Sequence, residues 1–176
     1  MMKTVQLFDD GVGKVDYISH MGSDITIVNS ARVSFGKEVE QISDKDKKLI
    51  NYLIKHRHTS TLEHCTVSFR IKVPLYIRSQ HHRHRTWSYN EISRRYTDVN
   101  LEFYEPKSFR TQHKSNRQAS NANDLINPVT DQNNAYTEVV KAHHAKSLEL
   151  FNNLIEAGVC REQARGVLPQ NLYTEY

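Results

Sequence analysis

Four arginines, a histidine, a glutamate and two serines fall within the run Arg83-His-Arg-Thr-Trp-Ser-Tyr-Asn-Glu-Ile-Ser-Arg-Arg-Tyr96. So many fixed cations cannot be buried together unless an anion neutralises them. A solvated coat is more simply made of lysine mixed with glutamate. Arginine presents a planar fork that matches phosphate or carboxylate bidentately, so the run reads as a built anion site. Gln80, Arg83 and His84 are spaced i, i+3, i+4, which predicts one shared helical face, while Arg85 points elsewhere. A solvated basic face is the competing reading.

The other reactive side chains have plainer alternatives beside their functional ones. Ser93 lacks the surroundings of a nucleophile elbow; flanked by arginines, its hydroxyl is better placed to donate to a phosphate than to lose its proton. Glu91, the lone acid inside the cationic run, can fix an arginine through an ion pair and thereby preorganise a site. Arg165 follows Glu162 by three residues, the spacing of a surface salt bridge. His56, His58 and His64 form one group and His81, His82 and His84 another, but neither supplies a tetrahedral four-ligand set, so no metal site is expected. Trp87 and Tyr89 beside basic residues would suit base stacking in an RNA-binding module. That rival needs a continuous basic surface, which Glu91, Asp98 and Glu102 interrupt, so nucleic acid is not the expected partner.

The elements that must position these groups follow from periodicity. Residues 15–20 read as a short strand followed by a turn at Met21–Asp24. Ser43 with Asp46 three residues on forms an N-cap, and Leu49, Ile50, Leu53 and Ile54 recur at helical spacing over 44–56. Residues 66–73 alternate as a half-buried strand, and Pro74 fits the first turn of a helix carrying Leu75, Ile77 and Gln80. The polar stretch 108–127 reads as a mobile or irregular connection. A long helix is expected from Asp131 to a stop at Gly158, then a short one over 160–167 ending before Pro169. Helices and strands without βαβ regularity predict an α+β domain, one domain over residues 1–176.

At 176 residues and 38% hydrophobic content, one core burying roughly 70% of the unfolded surface is feasible. No apolar run approaches the ~20 residues of a spanning helix, and the N-terminal residues lack a signal peptide's apolar core. Cys65 and Cys160 stand alone, which predicts buried thiols and a reducing cytoplasm, with no membrane partner. The net charge of +4 is modest. It clusters around residues 78–95 and again at Arg110–Arg117, which suits a small anion as well as a polymer.

The motif Arg83-His84-Arg85, seven intervening residues and Ser93 resembles that of the flavin-dependent thymidylate synthases, the ThyX family. The likeness extends through Ser30-Ala-Arg-Val-Ser34-Phe35, His56-Arg-His58 to Glu63-His64, Gln80, Glu162-Gln-Ala-Arg165, Leu168-Pro169 and Tyr173-Thr174, in the family's order over nearly the whole chain. It implies a twisted antiparallel sheet flanked by helices, assembled as a homotetramer. It implies FAD bound by Ser34, His58, Ser60, Arg83, His84, Arg85, Asn90 and Glu91, with a serine at 60 where threonine is common. It implies dUMP bound by Gln80, Arg83, Glu91, Ile92, Ser93, Arg94, Arg95 and Arg165, with Ser93, Arg94 and Arg95 against its phosphate. At position 94 the backbone N–H is the better candidate than the side chain. Arg83, Glu91 and Arg165 are the implied catalytic residues.

The reaction implied is reductive methylation of dUMP to dTMP, with methylenetetrahydrofolate as carbon donor and NADPH as reductant of FAD. The protein's part is to stack two planar rings and to place cations near the uracil carbonyls and N3, where an anion develops. Family members continue beyond the Tyr173-Thr174 motif with a helical segment that gives an asparagine to the flavin and an arginine to the uracil. The resemblance therefore implies either a truncated or split enzyme, inactive alone, or a second polypeptide completing the site. The same segment is expected to cover apolar surface on the long helix after Asp131.

Overall fold

The structure, a computed structural model, describes residues 3–176. Its contacts gather into two compact units, one of residues 3–5 and 15–70, the other of Gln6–Lys14 with Ile71–Tyr176. The α+β expectation is met: helices stand beside antiparallel strand pairs.

In the first unit, β1 (Thr4–Gln6), β2 (Lys14–Met21) and the beginning of β3 (Thr66–Pro74) lie in that order in a sheet. The expected turn at Met21–Asp24 is made by Gly22, whose φ of +82° is left-handed. A Cβ there would also meet the Cys65 sulfur at 2.6 Å, so glycine is required twice over. Helix α1 (Asp24–Arg32) was not foreseen from periodicity; it starts where the Ser23 N–H donates to the Thr26 hydroxyl. Helix α2 (Asp44–Lys55) begins as expected, with the Ser43 N–H and hydroxyl donating to Asp46 at 2.8 and 2.6 Å. Asp46 is almost wholly buried and pairs with Arg32 at the end of α1. The Ser43 donors, and then the Arg32 guanidinium, hold its carboxyl below the usual range.

The second unit carries the longer elements. The end of β3 pairs antiparallel with β6 (Tyr173–Glu175) in the register Lys72↔Glu175, Val73↔Thr174, Pro74↔Tyr173. Pro74 has no N–H to give and serves as the N-cap of α3 (Leu75–His81), one residue earlier than the first-turn position expected of it. β4 (Phe109–Gln112) and β5 (Ser120–Ile126) form a hairpin across the stretch expected to be irregular. Its strands are joined by polar pairs, since the Thr111 hydroxyl donates to Asp124 and the Asn121 amide donates to the Thr111 hydroxyl. The Gln112 amide closes the loop by donating to the carbonyls of Asn116, Arg117 and Ala119.

Helix α4 (Tyr136–Glu156) starts five residues after Asp131 and ends before Gly158, at φ +86°. It buries His144, Ser147 and Phe151 along one face. Phe151 packs with Ala164, Leu168 and Leu172 in the unit's core, joined by Phe103, Leu148 and Leu154. Tyr136, Val139 and Leu150 on the same helix remain exposed. Ala164 belongs to α5 (Arg161–Ala164), which runs into a 3-10 turn at Arg165–Val167 and ends ahead of Pro169 as expected. Both cysteines are free thiols, but only Cys65 is partly covered; Cys160 is exposed, against the expectation of burial. Among the described residues no helix is long and apolar enough to cross a membrane.

Candidate functional site

The second unit holds a cleft of about 500 Å³, within the usual range for a small-molecule site. Arg78, Glu91, Ile92, Ser93, Arg94, Arg165, Gln170 and Thr174 contribute to its wall. Five of these were read from the sequence: Glu91, Ile92, Ser93, Arg94 and Arg165. Arg78, Gln170 and Thr174 were missed. The positive cluster over 78–95 was the one signal for Arg78.

Each wall residue is held by a definite element. Leu75 at the start of α3 donates its N–H to the Leu172 carbonyl, which aligns the helix bearing Arg78 with the strand that follows. The Ile92 N–H donates to the Glu175 carbonyl at 2.9 Å, laying the 91–93 segment against β6. The Ser93 carbonyl then accepts from the N–H groups of Tyr96 and Thr97, closing a turn. At the head of that turn the Ser93 and Arg94 N–H groups have no partner among the described residues. The Ser93 hydroxyl accepts from the Arg95 N–H at 3.3 Å and keeps its own proton to donate.

Arg94 and Arg165 share the wall but not the role. Arg94 donates to the carbonyls of Val99 at 2.7 Å and of Asn100 and Tyr173 at 3.4 Å, tying three chain segments together. Burial pulls its guanidinium down from the usual value, and its Nε has no protein partner. Arg165 is exposed, and its Nε makes only a long contact, 3.4 Å, to the Glu162 carbonyl. The salt bridge suggested by the Glu162 spacing does not form among the described ion pairs, so the guanidinium is left for a ligand.

Glu91 does fix an arginine. Its Oε1 accepts from Arg78 Nε at 2.9 Å and from the Thr174 hydroxyl at 2.6 Å. Behind it lies an aromatic group of His81, His82, Trp87, Tyr89 and Tyr176. His82 lies 3.9 Å from Tyr89 centroid to centroid, and His81 Nδ1 is 2.8 Å from the Tyr176 hydroxyl. Burial, with Tyr89 and Glu91 nearby, pushes the Tyr176 phenol up to about 12. Burial likewise lowers both imidazoles, with neighbouring cations adding to the effect.

Gln80, Arg83, His84, Arg85, Asn90 and Arg95 do not line the cleft. The shared helical face expected of Gln80, Arg83 and His84 does not exist, because α3 ends at His81. The Tyr89 hydroxyl donates to the His81 and His84 carbonyls at 2.9 and 3.1 Å, satisfying groups that another helical turn would have used. Arg83, His84 and Arg85 therefore sit on an exposed turn. The Arg83 and Arg85 guanidiniums have no described ion pair. Arg95 leans on its neighbour, with Nη2 donating to the Tyr96 hydroxyl at 2.9 Å and the guanidinium 5.3 Å over the ring.

Ser34, His58 and Ser60 belong to the first unit and are all exposed. Ser34 donates to the Ala31 carbonyl at 3.3 Å, and His58 stacks parallel to Tyr52 at 6.2 Å. Among the described residues no group of three His, Cys, Asp or Glu side chains is placed to hold a metal ion.

Residues 16–176 match the family described as thymidylate synthase complementing protein. A flavin-dependent thymidylate synthase of Thermus thermophilus is 40% identical over 173 residues, 98% of this chain and 60% of the relative. One of Rickettsia typhi is 39% identical over 187 residues, covering 100% of this chain and 63% of the relative. The chain thus spans about 60% of the length of these curated relatives. Among solved structures, the UMP/dUMP methylase PolB from Streptomyces cacaoi bound with 5-Br dUMP aligns with a TM-score of 0.75 and 30% identity. That alignment covers 97% of this chain and 72% of the methylase.

Proposed function

We propose, from the premise that this chain belongs to the flavin-dependent thymidylate synthase family, that it acts in the reductive methylation of dUMP to dTMP. The observation that carries the reading is the cleft: an unpaired Arg165 guanidinium, a free Ser93 hydroxyl proton and an open Arg94 N–H beside a fixed carboxylate. This is a donor set for a phosphate next to an acceptor for a sugar or base. PolB, solved bound with 5-Br dUMP, supports a uridine nucleotide as the occupant.

On this proposal Arg165, the Ser93 hydroxyl and the Arg94 N–H hold the phosphate, each charge-assisted bond contributing about 1.5–3 kcal/mol. The Arg94 side chain shapes the wall, while Glu91 orients the nucleoside. Holding the nucleotide in one pose lowers the entropy lost at the reacting carbon, and closely placed cations stabilise negative charge developing on the uracil.

The residues present also fit a flavin. The Arg83–Asn90 turn offers two unpaired guanidiniums, an imidazole and an amide, held in place by Tyr89 through the carbonyls it binds. That donor set suits the anionic diphosphate and the carbonyl-rich edge of FAD. For the first unit taken by itself, the family likeness proposes Ser34, His58 and Ser60 as flavin contacts. When bound, FAD carries reducing equivalents from NADPH to the carbon delivered by methylenetetrahydrofolate. The homotetramer remains part of the proposal, as does a second polypeptide contributing to the site. Gln80 and Arg95, outside the cleft in one chain, are the residues through which another copy's site would be reached.

The test is the visible spectrum of the purified, flavin-loaded protein with and without dUMP, followed by dTMP formation with methylenetetrahydrofolate and NADPH. A saturable spectral response to dUMP and dTMP as product are expected. Colourless protein that takes up no FAD and binds no dUMP would overturn the reading.

A further inference from the structure

Glu91 is unusual among the cleft residues in having two side-chain donors on one oxygen. Arg78 comes from α3 and Thr174 from β6, where Thr174 is 4% exposed and paired opposite Val73. Glu91 itself comes from a segment without regular secondary structure, whose Ile92 N–H donates to the Glu175 carbonyl in β6. Without the two donors its side chain would be free to rotate about every χ angle. With them Oε1 is fixed, and Oε2 has no partner among the described residues.

The Arg78–Glu91 pair is half-buried, with side chains 28% and 23% exposed, so solvent screens it only in part. Arg78 donates through Nε alone. Three guanidiniums, on Arg78, Arg94 and Arg165, face two carboxylates, on Glu91 and Glu162, around the cleft. Removing Arg78 would leave the Glu91 charge uncompensated where a phosphate is to bind, with Thr174 as the one remaining side-chain donor on Oε1 among the described residues.

We propose that Arg78 and Thr174 are positioning residues of the nucleotide cleft, pinning one Glu91 oxygen so that the other is presented to a hydroxyl or N–H donor of the bound uridine nucleotide. The proposal rests on the reading of the cleft as a dUMP site. Arg78 acts through Glu91 and through the balance of charge; Thr174, being neutral, acts through Glu91 alone.

The experiment is calorimetric titration of the flavin-loaded protein with dUMP, comparing wild type with Arg78→Met, Arg78→Lys, Thr174→Val, Thr174→Ser, Glu91→Ala and the Glu91→Ala/Thr174→Val double variant. Arg78→Met is expected to raise Kd by about tenfold or more and Arg78→Lys by about threefold, because lysine restores the charge without the planar donor. Thr174→Val is expected to raise Kd about fivefold, and Thr174→Ser, which keeps the hydroxyl, to bind as wild type. In the Glu91→Ala background, Thr174→Val should add no further loss. An equal loss in both backgrounds would show that Thr174 acts as packing and overturn the proposal, as would an unchanged Kd in Arg78→Met, the folding of each variant being checked by its thermal melt. If wild type itself fails to bind dUMP, the nucleotide reading falls and this inference with it; binding by wild type with no effect of the variants rejects the inference alone.

Discussion

Replacing Arg165 by methionine separates ligand binding from folding. The side chain is exposed and, among the described residues, forms no ion pair and one long hydrogen bond, to the Glu162 carbonyl. Its removal should therefore change unfolding free energy by no more than about 0.5 kcal/mol, as for other surface sites without special features. On the ligand side, one charge-assisted bond to phosphate contributes about 1.5–3 kcal/mol, which corresponds to a rise of about 10- to 150-fold in the Kd for dUMP. The loss should be specific to the phosphate. Titration with deoxyuridine, which lacks it, should give the same weak affinity for variant and wild type, while thermal melts of the two proteins superimpose. An unchanged Kd for dUMP, or an equal loss for deoxyuridine, would refute the assignment of Arg165 to the phosphate.

Further outcomes follow from the same contacts. Arg94→Met, which strips three carbonyls of their donor, should destabilise the fold by about 2–3 kcal/mol and show as a lower Tm in the absence of any nucleotide. Tyr173→Phe removes the hydroxyl that donates to Asp10 and should lower stability by about 1–2 kcal/mol in denaturant titration. His144 is buried against Phe103, 4.9 Å away, and burial lowers its imidazole despite the opposing field of Glu105. A histidine depressed in the fold is protonated more readily in the unfolded chain, so stability should fall as pH drops below about 6.5. Melts of His144→Leu between neutral and mildly acidic pH should show a flatter dependence than wild type. Asp10 works lower in pH: burial tends to raise its carboxyl, but Tyr173 and the Gly13 and Val12 N–H groups together hold it below the usual range. Its stabilising contribution is present above about pH 4 and lost as pH falls further, and Asp10→Asn should remove that acid limb from the melts.

Much of this was legible in the sequence, and the parts that were not share a physical cause. The helix from Asp44, the strand from Thr66 and the stop at Gly158 follow from local rules: a cap, an alternation, a residue free to take positive φ. The hairpin at Phe109–Ile126 escaped notice because its pairing runs through Thr111, Asp124 and Asn121, polar side chains that leave no hydrophobic alternation. The end of α3 was likewise hidden, since it depends on Tyr89 folding back onto carbonyls five and eight residues upstream. Within the cleft, Glu91 stood out as the lone acid of a cationic run, while Arg165 was singled out only by the family resemblance. Arg78 and Thr174 become partners of Glu91 only through tertiary structure, 13 and 83 residues apart in the chain.

The most direct measurement is a crystal structure of the flavin-loaded protein with dUMP. The phosphate is predicted against the Ser93 hydroxyl, the Arg94 N–H and the Arg165 guanidinium, with the nucleoside reaching Glu91. A phosphate seated instead on the exposed Arg83–Arg85 turn, with the cleft empty of nucleotide, would contradict it.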